Sequence, residues 1–179
     1  MSVSAKGQFS YPTGIEGAET LGYDPEIISA APERMLESFC GVGNPFSLGK
    51  ISPDDTVLDF GCGAGFDLFV ASRLACKSSR LCGVDLTRHM AESARDNLAS
   101  AGVINCEIIE IESDAIPYGD NSFDVVISNG VINLSPDKPA CFRELFRVLK
   151  PGGRIQFADV VVENELPAHL TGSPEAWSQ

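Results

Sequence analysis

A carboxylate and three closely spaced glycines form the part of this sequence best suited to chemistry. Asp59 lies near the end of an apolar run, and Gly61, Gly63 and Gly65 follow it in a G-x-G-x-G pattern. Such glycines let a ligand lie against bare backbone, because any Cβ would occupy the ligand's volume. A turn that binds a dinucleotide pyrophosphate reads G-x-G-x-x-G, and here Phe66 follows the third glycine. The spacing therefore favours a different ligand.

A second acid follows at a distance that suits a nucleoside. Asp85 comes twenty residues after Gly65, at the end of another apolar run. In α/β folds that bind nucleosides, an acid at this point accepts hydrogen bonds from ribose hydroxyls. Asn129 and Gly130 follow a further run, at the carboxyl end of a strand, where such sheets bind ligands. We expect these two residues to line the reaction site.

Strand-like and helix-like segments alternate along the chain from residue 57 onward. Thr87 suits the N-cap of the clearest helix, and Gly102 suits the left-handed position that ends it. The alternation predicts a parallel sheet with helices on both faces and right-handed crossovers. The predicted strands cover 56–60, 80–84, 106–111, 123–128 and 154–162, and the helices between them cover 66–75, 87–101 and 142–149.

Shorter helical signals precede the first strand, and a stripe of apolar residues precedes the last. Asp24 and Pro25 suit the N-cap and first position of one helix, and a second covers 33–39 because Pro32 interrupts the pattern. A turn at 152–153 leads into the fifth strand. The helix before it, capped by Asp137, has a predicted inner stripe of Cys141, Phe142, Leu145, Phe146 and Leu149.

This ordered set resembles the class I S-adenosylmethionine-dependent methyltransferases over about residues 50 to 165. The resemblance implies an α/β fold, a three-layer Rossmann-like sandwich with a parallel sheet of strand order 3-2-1-4-5. It implies S-adenosylmethionine as cofactor and S-adenosylhomocysteine as product. Asp85 would bind the ribose, Leu86 and Met90 would pack on the adenine, and Glu112 would accept from the adenine amino group. The other implied cofactor-binding residues are Asp59, Gly61, Cys62, Gly63, Gly65 and Asn129.

Longer strings resemble one subfamily, the arsenite methyltransferases. The most specific is ISNGVINLSPDK over 127–138, supported by GNP at 43–45, GFD at 65–67 and RVLKPGGR at 147–154. That subfamily binds trivalent arsenic, a soft ion, through cysteine thiolates. Its cysteines correspond here to Val42, Leu68 and Gly130, and a further one would follow Gln179. The scaffold resembles the subfamily, but its arsenic-binding cysteines are absent from the sequence.

Three hypotheses stay open. The first is a methyltransferase that uses the same scaffold on another small acceptor, held beside Asn129 and Gly130. The second is an arsenite methyltransferase that uses Cys40, two residues from the subfamily's cysteine position, together with residues beyond Gln179. The third is a cofactor-binding module without activity. Titration with arsenite separates the first two.

The composition argues against several classes of function. The 179 residues are 44% hydrophobic, and 13 basic against 25 acidic residues give a net charge of −12. Nucleic acids and anionic membranes attract clustered Lys and Arg, so neither is an expected partner. The six cysteines include no C-x-x-C pair, and no metal site is expected. A polar N-terminus without a long apolar run predicts a cytoplasmic location.

The chain divides into three segments by composition. Residues 1–22 predict a flexible N-terminal arm, 23–162 carry the methyltransferase motifs, and 163–179 carry the turn signals of a truncated tail. The antiparallel hairpin with which the family closes its sheet is therefore expected to be missing. An exposed strand edge invites pairing. We expect the arm, or a second copy in a homodimer, to cover the edge of the fifth strand.

Overall fold

Five strands form at the predicted apolar runs and pair in parallel, in the order β3-β2-β1-β4-β5. This computed structural model describes residues 11–75 and 79–161. Because β1 pairs with both β2 and β4, the strand order reverses at β1, which is where open α/β sheets bind ligands. The predicted strand order is confirmed. The strands are β1 (Val57–Phe60), β2 (Leu81–Asp85), β3 (Cys106–Glu110), β4 (Phe123–Asn129) and β5 (Leu149–Ala158).

Helices cover both faces of the sheet, as the alternating pattern predicts. Val57 packs in one core with the N-terminal helices and the two helices that follow β1 and β2, whereas Leu58 packs in a second core with the last helix. A sheet buried on both faces requires this arrangement. The helices are α1 (Gly14–Thr20), α2 (Pro25–Ala30), α3 (Glu33–Glu37), α4 (Phe66–Leu74), α5 (Arg88–Ser100) and α6 (Lys138–Val148), with 3-10 turns at Pro45–Leu48 and Ile132–Leu134.

The segment before α2 differs from the flexible arm predicted through residue 22. Residues 14–20 form α1, whose Ala18 is fully buried in the core. The N–H of Gly14 donates to the carbonyl of Phe39 at 2.7 Å, and the Tyr11 hydroxyl donates to the carbonyl of Cys40 at 3.2 Å. The prediction is wrong here because these partners are distant in sequence and composition does not reveal them. Residues 1–10 lie outside the described residues.

The inner face of α6 is narrower than the predicted stripe. Cys141, Leu145 and Val148 are buried, at the spacing of one helical face. Phe146 is 80% exposed, and Phe142 packs near the surface against the ring of Phe157 at 5.9 Å. The predicted stripe is therefore wrong for the two phenylalanines, which follow the buried positions by one residue and so lie on another side of the helix.

The fifth strand begins earlier than predicted and contains the Gly-Gly turn. Leu149 pairs with Phe123, and the next paired residue of β5 is Arg154, opposite Val125. The residues between them leave the ladder as a bulge, in which Gly152 has φ +82°. Because β5 begins directly after α6, the Gly-Gly turn lies within the strand as this bulge.

Within residues 11–75 and 79–161, no strand pairs with the outer edge of β5. The family's closing hairpin has no counterpart in this part of the chain, and the predicted tail at 163–179 lies outside the described residues. Of the helices described, none is both long and apolar enough to cross a bilayer.

Candidate functional site

One cavity lies at the carboxyl ends of β1 and β4, where the motif residues meet. It encloses about 60 Å³, the volume of roughly two water molecules, so a nucleoside-sized ligand would extend beyond it. Five of its lining residues carry sequence predictions: Asp59, Gly61, Cys62, Gly63 and Asn129. The others are Met35, Ser38, Phe39, Cys40, Gly41, Ala64, Phe66 and Asp67, of which the sequence singled out only Cys40.

The three motif glycines have different reasons to be glycine. All adopt positive φ, at +80° for Gly61, +51° for Gly63 and +92° for Gly65. A Cβ at Gly61 would collide with the Val131 side chain, and one at Gly65 would lie 3.3 Å from Leu98. At Gly63 a Cβ would meet no atom within 4 Å. Gly61 and Gly65 therefore allow close packing of the turn, whereas Gly63 borders open space, and the role of the three glycines in binding a ligand stays a prediction.

Two buried carboxylates face this cavity. Asp59 is 2% exposed and Asp67 is 7% exposed. Burial raises the pKa of Asp59 well above its ordinary value, and the charges of Asp67 and Asp85 raise it further. Burial also raises the pKa of Asp67, to about 6, although hydrogen bonds from Tyr23 and Asn129 oppose this. No positive charge contributes to either pKa, so the cavity is electrostatically suited to a cation.

Asn129 joins this acidic cavity to the loop before β1. Its Nδ2 donates to Asp67 Oδ2 at 3.1 Å and to the carbonyl of Gly43 at 2.8 Å. Its Oδ1 accepts from the N–H groups of Val42 at 2.8 Å and Gly43 at 3.2 Å. The Tyr23 hydroxyl donates to Asp67 Oδ1 at 2.6 Å. The Asn129 amide is thus occupied in holding the 40s loop, defined here as residues 40–44, and is a positioning group.

Sequence reasoning gave no role to Asp67 or Tyr23. Asp67 lies in the GFD string, and its position in the first turn of α4 directs a carboxylate toward a glycine turn. The signal that the sequence offered for Asp67 was an acidic residue in the first turn of an otherwise apolar helix. Tyr23 gave no signal of this kind, because its partners are 44 and 106 residues away in sequence.

Asp85 connects the glycine turn to the start of α5. Its Oδ2 accepts from the N–H of Gly63, and its Oδ1 accepts from the N–H of Thr87, both at 2.8 Å. Thr87 stands at the predicted N-cap position but makes no side-chain cap hydrogen bond. Burial raises the pKa of Asp85, and these backbone hydrogen bonds oppose the rise. Each carboxylate oxygen keeps a further lone pair, which a ribose hydroxyl can use.

The residues expected around an adenine lie outside the cavity. Leu86 is 54% exposed, Met90 is half-buried, and Glu112 is exposed. Their side chains are accessible to a ligand that extends from Asp85, and their roles stay predictions.

Two of the positions that correspond to arsenic-binding cysteines, Val42 and Gly130, are neighbours in space. A Cβ added at Gly130 would lie 3.5 Å from Cγ1 and 3.6 Å from Cγ2 of Val42. Cys40 lines the neighbouring cavity, and burial raises the pKa of its thiol, an effect that the charge of Asp85 increases. The five described cysteines are free. Across the described ranges, no group of three or more His, Cys, Asp or Glu side chains is placed to hold a metal ion.

Comparison with known proteins shows that the chain is similar to methyltransferases. A family model described as a methyltransferase domain matches residues 51–179. Arsenite methyltransferases from Halobacterium salinarum and Aquipseudomonas alcaligenes are each 38% identical, over 95% and 82% of this chain. The crystal structure of an arsenic(III) S-adenosylmethionine methyltransferase from Chlamydomonas reinhardtii superposes with a TM-score of 0.67 at 32% identity, over 93% of this chain and 55% of that chain. This chain covers 43% of each of the two curated relatives.

Proposed function

The chain belongs to the methyltransferase domain family, and from this premise we propose that it binds S-adenosylmethionine and transfers the methyl group to a small-molecule acceptor. When bound, this cofactor supplies a methyl group on a positively charged sulfur, which keeps the electron pair of the broken carbon–sulfur bond. The protein's contribution is to hold donor and acceptor in line. The general activity is that of a methyltransferase of class EC 2.1.1.

The buried acidic cavity is the observation that carries this proposal. Asp59 and Asp67 are buried without a positively charged neighbour among the described residues, so a bound cation would stabilise their ionised forms. The proposed cofactor carries two positive groups, an ammonium and a sulfonium. The open space beside Gly63 leaves room for it against the backbone. The amino-acid part would lie here, with Gly61, Cys62 and Gly65 forming the rest of the turn.

The nucleoside part would extend from Asp85. We propose that this carboxylate accepts from the ribose hydroxyls, while Leu86 and Met90 pack on the adenine and Glu112 accepts from its amino group. The exposure of these three side chains supports the assignment, because an adenine can reach them without a rearrangement of the core. Asn129 and Gly130 would border the methyl group.

The test is calorimetric titration with S-adenosylhomocysteine, using wild type, Asp85→Ala and Asp96→Ala. Asp96 is an exposed acid on α5, so the control removes the same charge away from the cavity. A hydrogen bond to a charged group contributes about 1.5–3 kcal/mol, so Asp85→Ala should weaken binding by about tenfold or more. Asp96→Ala should bind as wild type does. Absence of binding by the wild-type protein would refute the proposal.

Arsenite is a second candidate acceptor, because the relatives above are named for it. The juxtaposition of Val42 and Gly130 opposes it, since neither residue has a thiol to bind a soft ion. We propose that arsenite is not the acceptor. Calorimetric titration with arsenite tests this directly, and binding by the wild-type chain would favour the second candidate, with Cys40 as the first residue to replace.

We also propose a cellular location, a class of acceptor and an oligomeric state. Free cysteines among the described residues are typical of a reducing compartment, which supports a cytoplasmic location. The net charge of −12 supports a small-molecule acceptor over a nucleic acid. The edge of β5, which no other described strand pairs with, supports a homodimer through that edge, which light scattering of the purified protein would detect.

A further inference from the structure

A second cavity, which we call the α1 cavity, lies on the other side of the 40s loop. Its walls come from α1 and the residue after it, from the 40s loop, and from the chain just after β5. Its volume is about 290 Å³, near the lower limit of about 300 Å³ for small-molecule pockets. It is therefore large enough for a compact ligand.

The walls of the α1 cavity are uncharged and mostly apolar. Pro12, Leu21, Val42 and Val160 contribute hydrocarbon, and none of the described acidic or basic side chains lines the cavity. The Tyr11 hydroxyl, which also borders it, already donates to the carbonyl of Cys40. A charged ligand would lose its hydration here without gaining a partner of opposite charge, which is strongly unfavourable. The cavity therefore favours an uncharged molecule with an apolar body.

Only the 40s loop separates the α1 cavity from the acidic cavity. Gly41 lines both. A Cβ at Gly41 would collide with the Asn129 amide and with the ring of Phe39, so only glycine allows the backbone to lie this close. The loop is held in place because the Asn129 Oδ1 accepts from the N–H of Val42 at 2.8 Å. A single backbone layer thus divides a cavity suited to a cation from one suited to an apolar molecule.

We infer that the α1 cavity is a binding site for an uncharged, mainly apolar small molecule, separate from the proposed cofactor site. Val42 places this cavity beside the carboxyl end of β4. It lines the α1 cavity, and its γ carbons lie within 3.6 Å of the position that a side chain at Gly130 would occupy. Hydrocarbon therefore extends from the α1 cavity toward the carboxyl end of β4.

Two probes with the same ring system and similar size test the inference on the full chain. 2-Naphthol is uncharged at neutral pH, and 2-naphthoate has the same ring system with a negative charge. We expect calorimetry to show binding of 2-naphthol, with and without S-adenosylhomocysteine, and at least about tenfold weaker binding of 2-naphthoate, since nothing in the cavity compensates its charge. The S-adenosylhomocysteine titration, run separately, reports on the proposed function alone.

A substitution locates the probe. Thr20 lines the α1 cavity, and its neighbour Glu19 is exposed and does not. Thr20→Trp should weaken 2-naphthol binding by about tenfold or more, because the indole occupies the space of the probe. Glu19→Trp, the matched control on the same helix, should bind both ligands as wild type does. The wild-type probe comparison carries the test by itself if Thr20→Trp does not fold.

The outcomes separate the two proposals. Binding of S-adenosylhomocysteine without binding of 2-naphthol would overturn the inference and leave the proposed function intact, and this is the result expected if another segment of the chain fills the cavity. Equal binding of both probes, or equal loss in both tryptophan variants, would also overturn it. If the wild-type chain binds 2-naphthol but not S-adenosylhomocysteine, the proposed function is overturned and the inference stands.

Discussion

Gly63 offers the sharpest test of where the cofactor lies, because two effects of a substitution can be separated there. Gly63→Ala adds one methyl group to a residue with φ +51° and no neighbour within 4 Å. The backbone cost of a left-handed alanine is about 1–2 kcal/mol of unfolding free energy. If the ligand lies against Gly63, the methyl group also overlaps it, at a further cost of about 1–3 kcal/mol in binding. Affinity for S-adenosylhomocysteine should then fall by about 5- to 150-fold.

Gly102 supplies the matched control for this substitution. It follows α5 with φ +73°, and a Cβ there would also meet nothing within 4 Å. Gly102→Ala should therefore lose about as much unfolding free energy as Gly63→Ala, measured by urea denaturation, and lose no affinity. Calorimetry of both variants gives the comparison. If Gly63→Ala binds S-adenosylhomocysteine as tightly as Gly102→Ala does, the ligand does not lie on the glycine turn.

Three further predictions follow from the described contacts. The pKa of Asp67 is raised from 3.8 to about 6 in the folded state, so the folded protein holds a proton that the unfolded chain releases. The contribution of Asp67 to the unfolding free energy should therefore fall as pH rises from 3.8 to about 6, and Asp67→Asn should make the pH dependence less steep in urea titrations at several pH values, while Asp59 and Asp85 keep their own contributions. Leu145→Ala should lower unfolding free energy by about 2–5 kcal/mol, whereas Phe146→Ser should change it by less than about 0.5 kcal/mol, in the same assay. The double variant Val42→Cys, Gly130→Cys should bind arsenite in calorimetry, because its two sulfur atoms would be neighbours, and either single variant should bind it more weakly.

The fold was predictable because its signals are local. Each buried strand is an apolar run, and the turn after β1 and the end of α5 carry glycines at positive φ. These local features reveal the order of strands and helices along the chain. The preference for right-handed crossovers then restricts the order of the strands in the sheet. The errors lie where local signals are ambiguous. Phe146 is as apolar as Leu145 in the sequence, and only the direction in which α6 faces the sheet distinguishes them.

The cofactor half of the candidate site was more predictable than the acceptor half for the same reason. Asp59, the glycine turn and Asp85 come from two adjacent strands and from the turns that follow them. The acceptor half depends on hydrogen bonds such as Asn129 to Val42, between residues 87 apart in sequence. Composition assigned α1 to a flexible arm, although the structure uses it as a wall of the α1 cavity. Single-sequence patterns do not report contacts of this range.

Different side chains hold the proposed cofactor site and the proposed acceptor site, so one can change while the other stays intact. The proposed cofactor site is held by Asp85, whose carboxylate accepts from the N–H groups of Gly63 and Thr87. The 40s loop takes no part in these two hydrogen bonds. The proposed acceptor side is held by Asn129, whose Oδ1 accepts from the backbone N–H of Val42, so this hydrogen bond does not depend on the Val42 side chain. Replacing a thiol with hydrocarbon at that position alters what the neighbouring surface can bind while the loop keeps its anchor. A chain that resembles arsenite methyltransferases throughout its scaffold can therefore carry hydrocarbon beside the proposed acceptor site, because the backbone contacts that position the loop do not depend on the side chain at Val42.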